Sequence, residues 1–186
     1  MRLLIMGPPG VGKGTQAKII TNQMNIAHIS TGDLLRYEIM QSTDIGNLAK
    51  QYIDEGKLVP DSILLNMVRI RISNPDCENG FLLDGFPRTI NQAVKFDTIM
   101  NELNQTLDFV ISLSADENEL VERLVKRGLE LGRSDDTPEI IKKRQKIYWE
   151  KTAPLLEFYH TKDLLIIVDG LGKIDIITQR IIKAIK

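Results

Sequence analysis

The sequence predicts an α/β fold in which a doubly wound, parallel five-stranded sheet is flanked by helices. Short runs of branched apolar residues recur along the chain and are apolar at consecutive positions, as strands buried on both faces require. Segments of helical periodicity separate these runs, an alternation typical of parallel sheets with right-handed crossovers. The five predicted strands are Leu3–Met6, Ile26–Ile29, Phe81–Leu83, Phe109–Leu113 and Leu164–Val168.

The predicted helices are Gly14–Met24, Asp33–Met40, Asp61–Ile72, Thr89–Leu103, Glu117–Val125, Glu139–Tyr159 and Ile174–Ile185. Two stretches depart from the simple alternation. Residues 30–72 hold more helix than a plain crossover needs, and Gly128–Gly132 forms a short insertion flanked by Arg127 and Arg133. We expect both to project as movable pieces from the edge formed by the carboxyl ends of the strands, where such folds bind ligands.

The composition limits the classes of partner. The chain has 186 residues, 42% of them apolar, which suits one globular domain with a substantial core. Its net charge of −1 provides no positive field, so neither nucleic acid nor a membrane is expected as a partner. The single cysteine, Cys77, excludes an internal disulfide and a multi-cysteine zinc site. No stretch approaches the roughly 20 apolar residues of a spanning helix, and we expect a cytoplasmic protein.

Residues 7–15, GPPGVGKGT, lie between the first predicted strand and a helix. This order is that of a phosphate-binding loop (P-loop), usually written G-x-x-x-x-G-K-[ST]. Glycines let backbone N–H groups turn toward phosphate oxygens, the start of the helix adds its own N–H groups, and Lys13 supplies a cation. The match departs at one position, because Gly14 stands where a metal-binding hydroxyl is usual and Thr15 comes one residue late.

The stretch GFLLDGFPR, residues 80–88, offers another group for a metal. Its apolar run ends in Asp84, at the carboxyl end of a predicted central strand, where a P-loop protein places a metal-positioning carboxylate. Because Mg²⁺ keeps most of its waters, Asp84 can hold it through water with assistance from Thr15. An Asp-Gly pair can also be a simple turn, but the P-loop upstream favours the metal role.

Further motifs accompany these two: STGDLLR (30–36), GFLLDGFPRT (80–89), GRSDD (132–136) and KTAPLLEFY (151–159). With them the chain resembles the nucleoside monophosphate kinases, most closely adenylate kinases of the short-lid form. The resemblance implies one domain, residues 1–186, whose core comprises 1–29, 60–126 and 137–186. It also implies a monophosphate-binding insertion (30–59), a short lid (127–136), a monomer, ATP and AMP or ADP as partners, Mg²⁺ and no structural zinc.

The resemblance also implies the roles of individual residues, carried over only where a motif matches. The implied ATP-binding residues are Gly10, Val11, Gly12, Lys13, Gly14, Thr15, Arg123, Arg127 and Gly172. The implied AMP-binding residues are Thr31, Arg36, Lys57, Leu58, Val59, Gly85, Phe86, Pro87, Arg88, Gln92, Arg133 and Arg144. Lys13, Arg88, Arg133 and Arg144 are the implied catalytic residues, and Asp84 is the implied metal residue. An arginine-rich site suits phosphoryl transfer, which depends on positioning and charge stabilisation.

Other functions are less consistent with the motifs. A regulatory GTPase would carry Asn-Lys-x-Asp on a late strand, and a silent P-loop scaffold would have lost Lys13 or several arginines. A small-metabolite kinase is disfavoured by DGFPR and by the insertion at 30–72. The main alternative is a pyrimidine monophosphate kinase of the same family. Thr31 and Gln92 favour AMP, because Gln92 offers a donor and an acceptor that match adenine.

Several residues receive only structural expectations. Arg69, Arg71 and Arg180 match no motif and are interpreted as solvated surface residues. Asp136 can cap the helix that follows it, with Glu139 as its capping-box partner, whereas Asp135 has no such duty and could contact an arginine or a ribose. Tyr148 and Trp149 are expected in the core. No role is assigned to Cys77, His28 or His160.

Overall fold

The computed structural model describes residues 1–186, apart from the side chains of residues 117 and 118. The strands are β1 Arg2–Met6, β2 Ala27–Ser30, β3 Phe81–Asp84, β4 Phe109–Ser114 and β5 Leu165–Asp169. The helices are α1 Lys13–Met24, α2 Thr31–Met40, α3 Asp44–Asp54, α4 Asp61–Ile72, α5 Ile90–Glu102, α6 Glu117–Leu131, α7 Pro138–Ile147, α8 Pro154–His160 and α9 Ile174–Ala184. Each predicted strand is therefore present within one or two residues of its expected bounds.

The strands form a parallel sheet in the order β2-β3-β1-β4-β5. Asp84 at the end of β3 is aligned with Ile5 of β1 on one side and with Ser30 of β2 on the other. The carboxyl ends of neighbouring strands thus meet at one edge of the sheet. This arrangement confirms the predicted α/β class and brings the loops after β1, β2 and β3 together.

Both faces of the sheet are buried, which explains why the strands are apolar at consecutive positions. Leu4 and Met6 of β1 belong to a core that includes Phe96 of α5 and Leu155 of α8. Leu3 and Ile5 point to the opposite face, against residues of α1 and α9 such as Ile20 and Ile181. Each fully buried side chain of this kind stabilises the fold by about 1.5–3 kcal/mol, so helices are held on both faces.

Two predicted helices have different bounds in the structure. The Gly128–Gly132 segment was expected as an inserted loop, but α6 continues through it to Leu131. The expected helix Glu139–Tyr159 is interrupted by a π-helical turn at Tyr148–Thr152. Pro154 has no N–H to donate to an α-helical ladder, and the N–H of Ala153 bonds to the carbonyl of Tyr148, five residues back.

The insertion (residues 30–59) contains α2 and α3, and α3 was not among the predicted helices. Ser30 caps α2 by accepting a hydrogen bond from the N–H of Asp33 (3.2 Å), and Thr43 caps α3 through the N–H of Gly46 (3.0 Å). Tyr148 is buried as expected, but Trp149 is 52% exposed, so its placement in the core was wrong. The π-helical turn directs these two neighbouring rings differently. Among the helices described, none combines the length and the apolar character that a bilayer crossing requires.

Candidate functional site

A cavity of about 610 Å³ lies at the edge of the sheet where β1, β2 and β3 end. Its wall is formed by the P-loop, by the insertion, by the loop after β3 and by parts of α6 and α7. The cationic residues along this wall are Lys13, Lys18, Arg36, Lys57, Arg88, Arg123, Arg127, Arg133 and Arg144, and the carboxylates are Asp33, Asp84 and Asp135. The volume suits a small-molecule site, and the excess of cations suits a phosphate-bearing ligand.

The P-loop has the backbone geometry that phosphate binding requires. Gly7 has φ 138°, and a Cβ atom at this position would collide with the carbonyl oxygen of Leu113 on β4. Gly10 and Gly12 also have positive φ, at 90° and 97°. Helix α1 begins at Lys13, so its first N–H groups face the loop. The ammonium of Lys13 donates to the carbonyl oxygens of Gly7 (2.8 Å) and Pro8 (2.9 Å).

Burial and neighbouring charges strongly lower the pKa values of Lys13 and Arg88. Burial lowers the pKa of Lys13 to about 8, a shift that the carboxylate of Asp84 opposes and the nearby Arg88 and Arg144 reinforce. Burial also lowers the pKa of Arg88 to about 10, again with the charge of Arg144 contributing. Positive charges are therefore crowded together, and an anion placed among them would relieve their repulsion.

Arg88 is held by bonds to its backbone and to its side chain. Its N–H donates to Oε1 of Gln92 (2.7 Å), and its carbonyl oxygen accepts from the hydroxyl of Thr152 (2.9 Å). Its Nε donates to the carbonyl oxygen of Gly85 (2.7 Å). Sequence reasoning missed Thr152, although the residue lies within the KTAPLLEFY motif, because a motif does not reveal which of its members touches a residue 64 positions away.

Gln92 lies outside the cavity wall as the structure describes it. Its side chain is fully buried, with Oε1 accepting from the N–H of Arg88 and Nε2 donating to Asp61 (2.7 Å). Both polar groups of the amide are therefore already paired. Direct contact between Gln92 and an adenine ring stays a prediction, and it would require at least one of these bonds to be exchanged.

The insertion supplies an apolar recess beside Arg88. Thr31, Leu58, Val59, Gly85, Phe86 and Pro87 line this part of the cavity together with Leu35, Ile53 and Leu64. The hydroxyl of Thr31 donates to the carbonyl oxygen of Asp84 (3.3 Å). At its entrance Arg36 pairs with Asp33 (2.5 Å), and Arg133 lies 3.9 Å from the same carboxylate. Sequence reasoning did not single out Asp33. Its carboxylate lies between Arg36 and Arg133, where a phosphate could bind in its place.

The carboxylate of Asp136 binds two arginines of the cavity wall. Its fully buried carboxylate accepts from Nε (2.7 Å) and Nη2 (2.8 Å) of Arg127 and from Nη1 of Arg144 (2.6 Å). The prediction that Asp136 caps α7 was therefore wrong. Thr137 is the cap, and its hydroxyl accepts from the N–H of Ile140 (3.5 Å). Asp135 contacts an arginine as expected, with Oδ2 2.8 Å from Nη1 of Arg144.

Opposing effects act on the pKa values of this ion pair. Burial raises the pKa of Asp136, but the hydrogen bonds and charge of Arg127 outweigh it and lower the pKa below its usual range. Burial lowers the pKa of Arg127, and Asp136 reverses that shift and raises it. Both groups are therefore stabilised in their charged forms at neutral pH.

Asp84 lies in the cavity beside the start of α1. Its carboxylate lines the cavity with Lys13 and Thr15, and a Cβ atom built on Gly14 would lie 3.4 Å from its Oδ2. A Cβ atom at position 14 would thus be in van der Waals contact with the carboxylate, so a longer side chain there would cover a face of Asp84 that Gly14 leaves open. Among the side chains described, no group of three or more His, Cys, Asp or Glu residues is arranged to hold a metal directly.

The end of the cavity beyond the P-loop is bounded by α6 and by the start of α9. Arg123 and Arg127, on one face of α6, line it together with Gly172, and their contact with ATP stays a prediction. His28, to which no role was assigned, also lines the cavity. Of the three arginines outside the motifs, Arg69 pairs with Glu102 and Arg71 with Asp76, whereas Arg180 bonds to the loop that carries Gly172.

Known proteins are similar to this chain over most or all of its length. The family model described as adenylate kinase matches residues 5–164. The chain is 50% identical over 182 residues to the adenylate kinase of Bifidobacterium longum strain NCC 2705, with 98% of each chain covered. It is 47% identical over 186 residues to that of Stenotrophomonas maltophilia strain K279a, with both chains covered in full. The chain therefore belongs to the adenylate kinase family.

Proposed function

We propose that this protein transfers the terminal phosphoryl group of ATP reversibly to AMP, giving two molecules of ADP and so balancing the adenine nucleotides. The observation that carries this proposal is the wall of the cavity. A P-loop forms one side, an apolar recess of the insertion forms another, and arginines from separate segments converge between them: Arg36, Arg88, Arg127, Arg133 and Arg144.

In this proposal ATP occupies the P-loop side of the cavity. The backbone of residues 10–15 and the ammonium of Lys13 bind its phosphates. To do so, Lys13 gives up its hydrogen bonds to the carbonyl oxygens of Gly7 and Pro8. Arg123 and Arg127 flank the base and phosphates, and Gly172 lies beside the base. A planar guanidinium suits both contacts, because it can stack on a ring and bind phosphate in a bidentate manner.

AMP occupies the insertion side. Thr31, Lys57, Leu58 and Val59 surround its base, with Gln92 as the predicted polar contact. Arg36 and Arg88 bind its phosphate, which would replace Asp33 as the partner of Arg36. Arg133 and Arg144 bridge the phosphates of the two nucleotides at the point of transfer.

Phosphoryl transfer to AMP requires positioning and charge stabilisation, and it needs no general base because the attacking phosphate is already an anion. The half-buried Lys13 and Arg88 act on the equatorial oxygens in a cavity partly shielded from water, where their charge is more effective than in bulk solvent. Transfer to AMP and not to water also requires that solvent be excluded, and the insertion and the lid (residues 127–136) would provide that closure.

Asp84 would hold Mg²⁺ through water, with assistance from Thr15 in the first turn of α1. When bound it would neutralise part of the charge on the donor phosphates. We propose further that the protein is a cytoplasmic monomer. Gel filtration at micromolar concentration would test the monomeric state, since a dimer would elute at about twice the mass.

The test of the proposed function is an assay of purified protein with magnesium and ATP against AMP, CMP and UMP, in which diphosphate formation is measured. We expect ADP formation, with kcat/KM for AMP at least about tenfold above the values for CMP and UMP. A higher kcat/KM for CMP or UMP would identify a pyrimidine monophosphate kinase. Absence of turnover with all three acceptors would reject the proposal.

A further inference from the structure

The loop between β5 and α9, residues 170–173, forms a wall of the cavity directly beside the P-loop. Gly170 allows this approach, because a Cβ atom built on it would come within 2.8 Å of the Val11 side chain. Its N–H donates to the carbonyl oxygen of Ser114 at the end of β4 (2.8 Å). Since Val11 belongs to the P-loop, a nucleotide whose phosphates lie on that loop has this wall within reach of its base.

Gly172 is the member of the loop that lines the cavity. It is exposed, has φ 113°, and neither its N–H nor its C=O bonds to any group in the part of the chain that the structure describes. A free backbone donor and acceptor match the ring nitrogen and the amine of a purine. The position of this short backbone segment would therefore decide which base is accepted.

Arg180 of α9 secures the first half of the loop. Its Nη1 lies within hydrogen-bond distance of the Asp169 carbonyl oxygen (3.0 Å), the Asp169 carboxylate (3.0 Å) and the Leu171 carbonyl oxygen (2.8 Å). The other oxygen of that carboxylate accepts from the N–H of Leu171 (3.0 Å). Arg180 is exposed, as expected of a surface arginine, and the structure shows in addition that its side chain bonds across the turn at Gly170.

Gln16 of α1 secures the other end. Its buried side chain donates from Nε2 to the carbonyl oxygen of Ile174 (3.0 Å) and accepts at Oε1 from the hydroxyl of Thr178 (2.7 Å). Because α1 begins in the P-loop, this bond ties the end of the 170–173 loop to the element that carries Lys13. Only Gly172 and Lys173 lie between the two anchored carbonyl groups.

We propose that Arg180 and Gln16 are positioning residues that hold the 170–173 loop at a set distance from the P-loop and thereby determine the base preference for the phosphoryl donor. This inference rests on the proposed function, since it concerns the ATP side of the same cavity. Arg180 lies outside the cavity wall, and Gln16, which lines it, has both groups of its side-chain amide bonded to Ile174 and Thr178. A loosened loop would leave the P-loop and the arginines in place, so the donor should bind less tightly while transfer itself continues.

The test compares Arg180→Gln with the control Arg69→Gln. Arg69 is an exposed arginine that pairs with Glu102 away from the cavity. Steady-state kinetics are measured with ATP and with GTP as donor at saturating AMP, and with AMP varied at saturating ATP. For Arg180→Gln we expect KM for ATP to rise about five- to tenfold, with kcat and KM for AMP changed less than about twofold. The preference for ATP over GTP should fall, whereas Arg69→Gln should match the wild type.

Gln16→Leu provides a second variant. It keeps a buried side chain of similar size, and the hydroxyl of Thr178, released from Gln16, can donate to the carbonyl oxygen of Ile174 (3.0 Å), so the same change in donor KM is expected from a folded protein. Unchanged donor KM and donor preference in both Arg180→Gln and Gln16→Leu would overturn the inference. So would a loss of kcat or of melting temperature without a selective effect on the donor. A wild type that phosphorylates none of the acceptors would instead reject the proposed function.

Discussion

The hydroxyl of Ser134 donates a hydrogen bond to the carboxylate of Asp54, 2.8 Å away and 80 positions earlier in the sequence. Asp54 ends α3 of the insertion, and Ser134 belongs to the lid, so the bond joins the two segments that were expected to move. Gly56 lies against α7 nearby, where a Cβ atom would come 2.9 Å from the side chain of Ile140. The two segments that form the cavity's outer wall are thus in direct contact.

Loss of this bond should favour an open arrangement of the two segments. In Ser134→Ala we expect amide exchange across residues 44–54 and 134–136 of the nucleotide-free protein to accelerate by up to about tenfold, because one hydrogen bond contributes about 0.5–1.5 kcal/mol. Hydrogen exchange followed by mass spectrometry measures this. Ser73→Ala is the control, because its hydroxyl bonds only to the carbonyl of Arg69 (2.8 Å). Equal exchange in both variants would contradict the prediction.

Asp136 should stabilise the fold in a pH-dependent way. Asp136→Asn should lower the free energy of unfolding by about 2 kcal/mol at pH 7, less than for a fully buried pair, because Arg127 is partly exposed. The folded-state pKa of Asp136 is lowered. The carboxylate therefore contributes fully to the free energy of unfolding above its unfolded-state pKa of about 4. This contribution is lost as the pH falls through the folded-state pKa. Urea unfolding from pH 3 to 8 would show the gap between wild type and variant narrowing in acid. A constant gap would count against the ion pair.

Lys13 should take up a proton when ATP binds. Its pKa is lowered to about 8, and phosphate oxygens beside it would raise that value. At pH 8 we therefore expect uptake of about half a proton, and at pH 6.5 almost none. Calorimetry in buffers of different ionisation enthalpy measures the uptake. Lys13→Met should abolish it and remove most activity without unfolding the protein, and uptake that persists in this variant would assign the proton to another group.

Gln92 should affect AMP recognition by two routes, as the predicted contact to the base and as the acceptor for the N–H of Arg88 (2.7 Å). Gln92→Ala should therefore lower kcat/KM for AMP by about tenfold or more and reduce the preference for AMP over CMP. Asn91→Ala is a matched control, because Asn91 also bonds to Asp61 (2.5 Å) but has no bond to Arg88. A Gln92→Ala variant whose AMP preference equals that of the wild type would remove Gln92 from the pocket.

Removal of metal should stop catalysis without loosening the fold. The described side chains hold no cluster of three or more metal-ligating residues, and in the proposed function Asp84 holds the metal only through water. A chelator should therefore abolish turnover and leave the melting temperature of the nucleotide-free protein within about 1 °C, since metal that stabilises a fold raises that temperature. Added magnesium should restore activity. A large drop in melting temperature would reveal a structural metal.

Sequence alone predicted the sheet, most of the helices and the P-loop because each has a local signature. Consecutive apolar residues mark strands buried on both faces, and a glycine loop before a lysine marks a backbone that must approach phosphate. These signatures depend on residues a few positions apart, so they can be recognised from the sequence alone. The same reasoning missed the break at Tyr148–Thr152, where a proline changes the hydrogen-bond pattern within a continuous helical repeat.

Only the tertiary structure distinguished residues of the same type. Arg69 and Arg180 look alike in sequence, but packing of α9 beside β5 gives Arg180 three backbone and carboxylate oxygens, whereas Arg69 meets a single carboxylate. Asp136 looked like a helix cap until the fold brought Arg127 and Arg144 to its carboxylate. Such contacts arise where separate elements pack together, and their partners are chosen by three-dimensional position, which no local pattern of residues encodes.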